Sequence, residues 1–261
     1  MYEVDSLAIF VGTSKCNARC AHCAGTIHRQ YAPNEDGILN EDLIYKTIKN
    51  CYMKGARSLS LTGSGEPTLS PLSVTKVLEL AYKLKKEGME YSSIHMYSNG
   101  IQIGNSKNFS SRYLPKWKEH GLDSVYVTIH DTDEKRNAEI YGIKNYPSFG
   151  LIVSRIHDAD LLMRANLVLT KKTICSLKKL ISTAESLKGL GVDSISAWSV
   201  RGMDDKLDLD LSPSNEELDK MSEWAEENGV RLLREKSRIV YETGKKLTLF
   251  PDGTLSNTWC Q

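Results

Sequence analysis

Three of the six cysteines stand in one short stretch, SKCNARCAHCAG, at Cys16, Cys20 and Cys23. Thiolates are the protein ligands of iron–sulfur clusters. Three of them in one loop can hold three irons of a cubane while the fourth iron keeps an open position for chemistry. The competing metal is zinc, which takes four protein ligands in a structural site, so here it would need His22 or His28 as the fourth. A second stretch suited to a ligand is Gly63-Ser64-Gly65-Glu66-Pro67. Taken alone it reads as a structural glycine turn. As a dinucleotide loop it lacks the third glycine needed for close helix–strand packing, and Pro67 interrupts it.

Both stretches need a scaffold, and the composition allows one. With 40% hydrophobic residues and 26% charged over 261 residues, the chain can bury a substantial core. Its 34 Lys and Arg against 33 Asp and Glu give a net charge of +1, too little for a broad field that would hold nucleic acid. No apolar run approaches the roughly 20 residues of a membrane-spanning helix, and the first residues lack the basic region of a secretory signal. We therefore expect a cytoplasmic protein without a membrane partner, whose thiols stay reduced and serve metal binding or catalysis rather than disulfides.

Six short apolar segments, LAIFVG, SLSLTG, IHMYSN, VYVTIH, MRANLVLT and SISAWSV, alternate with amphipathic helical segments, the pattern of an α/β fold with a mainly parallel sheet. Helix starts are expected at Asn40, at Ser70-Pro71 and at Thr173, and stops at Gly88, Gly121, Gly189 and Gly229. No linker divides residues 6 to 229, and the tail beyond reads as added strands with a turn at Asp252-Gly253. Period-two alternation places Leu59, Leu61, Val125, Val127, Ile129, Leu167 and Leu169 against helices. Ser60, Thr62, Tyr126, Thr128, His130, Arg164 and Asn166 face the other side. An open doubly wound sheet would be apolar on both faces, so the polar second face predicts a barrel interior that holds cofactor and substrate.

The spacing C-x3-C-x2-C directly after a first strand, followed by the Gly/Glu turn after the second, resembles the radical S-adenosylmethionine (SAM) superfamily. Ser64-Gly65 departs mildly from the two adjacent glycines usual there. The resemblance covers residues 6 to about 229. It implies a partial (β/α)6 barrel of TIM type over residues 1–229, with a C-terminal strand extension over 230–261 closing it, and an active site at the C-terminal ends of the strands. It also implies one [4Fe-4S] cluster on Cys16, Cys20 and Cys23, with the SAM amino group held by the backbone carbonyls of Gly63, Ser64 and Gly65 and the carboxylate of Glu66. Arg164 or His130 would meet the SAM carboxylate. Ser98, Asn99, Thr128 and Asn166 match the family's ribose contacts, and Trp198 and His22 its adenine contacts, each with a core, turn or capping role as the alternative.

Of the other cysteines, Cys51 falls on the apolar face of the first helix and reads as core. Cys175 and Cys260 are the thiols expected near the barrel mouth, where one could return a hydrogen atom to a substrate radical and make the protein an epimerase. Two such cysteines are too few for an auxiliary cluster, so a single cluster is expected. The resemblance implies reductive SAM cleavage, a small-molecule or peptide substrate and an electron donor such as flavodoxin or ferredoxin. The alternatives are a glycyl-radical-enzyme activase and a non-enzymatic iron–sulfur or zinc binding module.

Overall fold

A computed structural model describes residues 4–200, 208–233 and 245–257. The first strand, β1 (Ser6–Phe10), is followed by α1 (Glu41–Met53), β2 (Ser58–Thr62), α2 (Pro71–Lys86) and β3 (Ser93–Ser98). Two helices then fill each of two connections: α3 (Ile101–Asn105) and α4 (Lys107–Glu119) before β4 (Ser124–Ile129), and α5 (Glu134–Tyr141) and α6 (Phe149–His157) before β5 (Leu162–Leu169). The chain continues through α7 (Leu177–Gly189), β6 (Ser194–Ser199), α8 (Asn215–Glu227), β7 (Arg231–Leu233), β8 (Lys246–Leu249) and β9 (Leu255–Ser256).

Strands β1 to β6 pair in sequence order, all parallel, in a nine-stranded sheet of order β7-β6-β5-β4-β3-β2-β1-β8-β9. The strand candidates all form, as does the turn at Asp252-Gly253, where the Gly253 amide donates to the Phe250 carbonyl and antiparallel β9 folds onto β8. The tail divides between the two edges: β7 joins β6, and β8 joins β1. Among the described residues it lengthens an open sheet rather than closing it.

The core lies between the sheet and its helices. Leu59, Leu61, Val125, Val127, Ile129, Leu167 and Leu169 are fully buried there. Each such side chain contributes roughly 1.5–3 kcal/mol relative to exposure. Cys51 joins this core, and its burial pushes the thiol up to about 11. Asn40 caps α1 by accepting from the Leu43 amide at 3.0 Å, and Ser70 stands before α2 with Pro71 in its first turn. Two expected boundaries move. Helix α7 starts at Ser176, whose hydroxyl accepts from Lys179, because the Thr173 hydroxyl is drawn to Thr170 at 2.9 Å. It stops at Gly191, which has φ of +89°, while Gly189 is its last helical residue.

Candidate active site

The cysteine loop leaves the C-terminal end of β1 and is tied down by the ends of neighbouring elements. The Glu66 amide donates to the Lys15 carbonyl at 2.9 Å, the Arg19 amide to the Tyr141 carbonyl at 2.8 Å, and Asn99 Nδ2 to Asn17 Oδ1 at 2.7 Å. Contact with the turn after β2 is so close that a Cβ on Gly65 would stand 2.1 Å from the Lys15 carbonyl oxygen. Only glycine fits there without moving backbone.

Cys16, Cys20 and Cys23 are free and half-buried. Burial pushes the Cys20 thiol up to about 12, with Cys23 and Cys16 adding to the rise, and Cys16 is raised by burial and, less strongly, by Glu66 and Cys23. The thiols therefore sense one another across the loop. Among the described residues no three His, Cys, Asp or Glu groups converge tightly enough to hold a metal ion. An iron–sulfur group fits this loop by ligand number, thiol chemistry and shared burial, and closure of the ligands would accompany binding, as is usual for metal sites. The two histidines considered as a fourth zinc ligand make aromatic contacts. His28 is buried between Phe10 and Phe250, and His22 packs edge-on against His130 with ring centroids 4.9 Å apart.

Glu66 is the hub behind the loop. It is 4% exposed, and its Oε1 accepts from the Thr68 amide, the Thr68 hydroxyl and the Ser98 hydroxyl, while Oε2 accepts from the Asn99 amide. Burial raises its carboxyl and these four bonds oppose the rise. Four donors occupy about all the lone-pair positions a carboxylate offers. Glu66 thus fixes the turn against β3, with three of the four bonds on Oε1 and one on Oε2. Ser98 and Asn99 are engaged in the same way: Ser98 Oγ also accepts from the Gly100 amide, and Asn99 Oδ1 from the Ile101 amide. Their polar atoms brace the turn.

Further along the interior face, polar atoms remain unsatisfied. His130 is 2% exposed and, among the described residues, neither ring nitrogen has a partner, nor do Asn166 Nδ2, His22 Nε2 and Ser64 Oγ. Asn166 Oδ1 accepts from Ser196, and Thr128 stands beside Asn166 in register. Each unsatisfied buried group costs roughly 1–3 kcal/mol until something pairs with it. This is the condition expected of a pocket built for a polar cofactor. Burial, and then His22, press His130 down to about 3, so it is neutral at physiological pH.

Other expected site residues lie apart. Arg164 is the third residue of β5, level with Ser194 at the start of β6, and lines a cavity at the N-terminal end of the sheet. That is the end opposite the cysteine loop, which removes it from the cofactor carboxylate: strand alternation shows which face a residue takes and says nothing of its depth. Trp198 faces the interior in a tilted contact with Tyr97, centroids 6.4 Å apart. Cys175 is exposed in the loop after β5. Cys260 lies outside the described residues.

Sequence reasoning missed Arg29. Its Nη2 stands 3.9 Å from Cys23 Sγ and its Nε donates to the Ser64 carbonyl at 3.4 Å, so one cation bridges the thiol loop and the glycine turn. It also lowers the Cys16 and Cys20 thiols. Its position six residues after Cys23 was the available signal. Asn17, inside the cysteine motif itself, was likewise overlooked.

Residues 10–148 match the radical SAM superfamily. That is more than half of the chain, and the protein belongs to this superfamily, whose members use a [4Fe-4S] cluster and SAM. Among its relatives, a probable GTP 3',8-cyclase of Sulfurisphaera tokodaii is 31% identical over 176 residues, covering 66% of this chain and 50% of the relative. The GTP 3',8-cyclase of Clostridium perfringens strain 13 is 30% identical over 138 residues, covering 53% and 38%. The chain thus spans half or less of these relatives. In fold it is similar to Streptococcus suis SuiB bound to its precursor peptide SuiA, with TM-score 0.69 and 15% identity over 99% of this chain and 60% of that one. It is also similar to anSMEcpe with bound AdoMet, with TM-score 0.61 and 17% identity over 96% and 73%. No helix among the described residues is long and apolar enough to cross a membrane.

Proposed function

We propose that this protein uses SAM at a [4Fe-4S] cluster to begin radical chemistry on a small molecule seated in the interior of the sheet near the C-terminal ends of its strands. The observation that carries this reading is the loop of three free, half-buried thiols joined through Lys15 and Asn17 to the Glu66 turn and the end of β3. When bound, the cluster and SAM would supply one-electron reductive cleavage of the S–C5′ bond and hydrogen-atom abstraction from the substrate, the electron coming from a donor such as flavodoxin or ferredoxin.

The residues divide the remaining work. Cys16, Cys20 and Cys23 hold the cluster. The Gly63 and Ser64 carbonyls receive the SAM amine, Glu66 keeps them aimed, and Arg29 sets charge beside the thiols. Asn166, His130 and His22 offer hydrogen bonds to the cofactor's polar groups, and Thr128 adds its hydroxyl. The aromatic side chains below them exclude water, which protects a radical from quenching. A small-molecule substrate is favoured over a peptide, an epimerase reaction or a glycyl-radical activase because the curated relatives named here are nucleotide cyclases.

Anaerobic incubation of the reconstituted protein with SAM and dithionite should release 5′-deoxyadenosine. Glu66→Ala should retain the iron and weaken SAM binding at least about tenfold, the size expected for disturbing a charge-assisted hydrogen-bond network. A fully reconstituted cluster that never cleaves SAM would sink the proposal.

A further inference from the structure

At the end of the sheet opposite the thiols, a cavity of about 370 Å³ opens between the first residues of consecutive strands. Its wall includes Ser93, Ser124 and Ser194, which begin β3, β4 and β6, together with Arg164, Tyr126 and Asp123. Among the described residues the three serine hydroxyls make no hydrogen bond within the protein and Arg164 has no carboxylate partner. The Arg164 guanidinium lies 4.8 Å from the Tyr126 ring centroid, and among the described residues its buried Nε has no acceptor.

From this arrangement we infer that the N-terminal mouth of the sheet is a second binding site, separate from the radical centre, for a small phosphorylated metabolite. One planar cation and three uncommitted hydroxyls supply more donors than the two oxygens of a carboxylate use well, and match the three terminal oxygens of a phosphate monoester. Asp123 refines the choice. One of its oxygens already accepts from the Ile94 amide at 2.6 Å, so a ligand that also presents an ammonium or hydroxyl is favoured over bare phosphate. The volume is that of a small-metabolite pocket.

Two further observations support the assignment. The field at this end is positive: His95 on the interior face is pressed down to about 3 by burial and then by Lys246, Arg164 and Arg231. The site is also partitioned from the thiol end. His95 stacks on Tyr126 at 4.2 Å and Tyr97 meets Tyr126 edge-on at 5.3 Å, an aromatic layer below the rung that carries Thr128 and Asn166.

The test is calorimetric titration of the cluster-reconstituted protein with phosphoethanolamine, beside inorganic phosphate. Saturable binding of one phosphoethanolamine per chain, tighter than inorganic phosphate, is expected. Arg164→Gln should weaken it at least about tenfold and the double change Ser124→Ala with Ser194→Ala several-fold, the losses expected for charged and neutral donors. The serine pair keeps the test available should Arg164→Gln unfold the protein. Arg29→Ala, at the other end, should leave this binding as it is. The inference is overturned by absence of saturation, by equal binding in the Arg164 or serine variants, or by loss of binding in Arg29→Ala, which would place the anion at the thiol end. None of these results depends on SAM cleavage, so the inference can fail while the proposed function stands.

Discussion

The two ends of the sheet are both polar and are polar for different reasons. At the C-terminal end, loops converge and lock one another: Glu66 takes four hydrogen bonds, Gly65 touches the Lys15 backbone, and Asn99 reaches Asn17. Beside them stand a set of free thiols, one cation that reaches Ser64 and Cys23 and, among the described residues, several unsatisfied nitrogens. At the N-terminal end the strand starts supply separate hydroxyls around one arginine, while Asp123 and Asp193 hold neighbouring strand starts by accepting from the Ile94 and Met163 amides. The first arrangement is stiff because a group that must sit where chemistry occurs tolerates little error in position. The second resembles a binding dish, where donors adapt to the ligand.

The largest effect should follow removal of the thiols. Changing Cys16, Cys20 and Cys23 together to alanine should abolish iron binding and SAM cleavage while phosphoethanolamine binding at the other end persists. Iron and sulfide analysis beside calorimetry reads both ends in one preparation, and retained iron would break the contrast.

Gly65→Ala should come next. Its new methyl group meets backbone rather than a movable side chain, so the loop must shift by more than an ångström-scale adjustment of rotamers allows. A stability cost of about 1–3 kcal/mol is expected from overpacking of this kind. The larger consequence should be loss of most of the cluster on gel filtration, measured as iron per chain. A variant with full iron content and native SAM affinity would show that the loop is not held by this contact.

The smallest effect concerns acid stability, to which each end contributes one buried histidine. His130 and His95 are both pressed from 6.5 down to about 3 in the folded state. Between those values the unfolded chain binds more protons than the folded one, so their contribution to stability is complete above 6.5 and declines as pH falls toward 3. Each can cost up to about 1.4 kcal/mol per pH unit in that window. Urea unfolding at pH 7 and pH 5 should show His95→Gln losing less stability on acidification than the native chain. Equal losses would mean that His95 protonates without penalty and that the positive field around Arg164 is weaker than described.

Much of the catalytic end was legible because its residues are neighbours in sequence. Cys16, Cys20, Cys23 and the Gly63–Glu66 turn announce themselves by spacing, and each directly follows a strand that alternation reveals. Period two also gave the polar interior face, since successive side chains must point to opposite sides of a strand. Local chemistry likewise set the Asn40 cap, the Ser70-Pro71 helix start and the turn at Asp252-Gly253. Three-dimensional packing decided the rest. That Glu66 would be saturated by Thr68, Ser98 and Asn99 depended on how closely β3 approaches the turn, and that Arg29 would bridge Cys23 and Ser64 depended on the fold of the segment after the third cysteine. Depth along a strand was hidden too: Arg164 and Asn166 share a face and differ by one rung, yet the first opens to the mouth and the second to the cofactor end. Facing is a property of one residue's position in its own strand, whereas depth and partnership depend on the register and tilt of neighbouring strands, and these exist only once the sheet has formed.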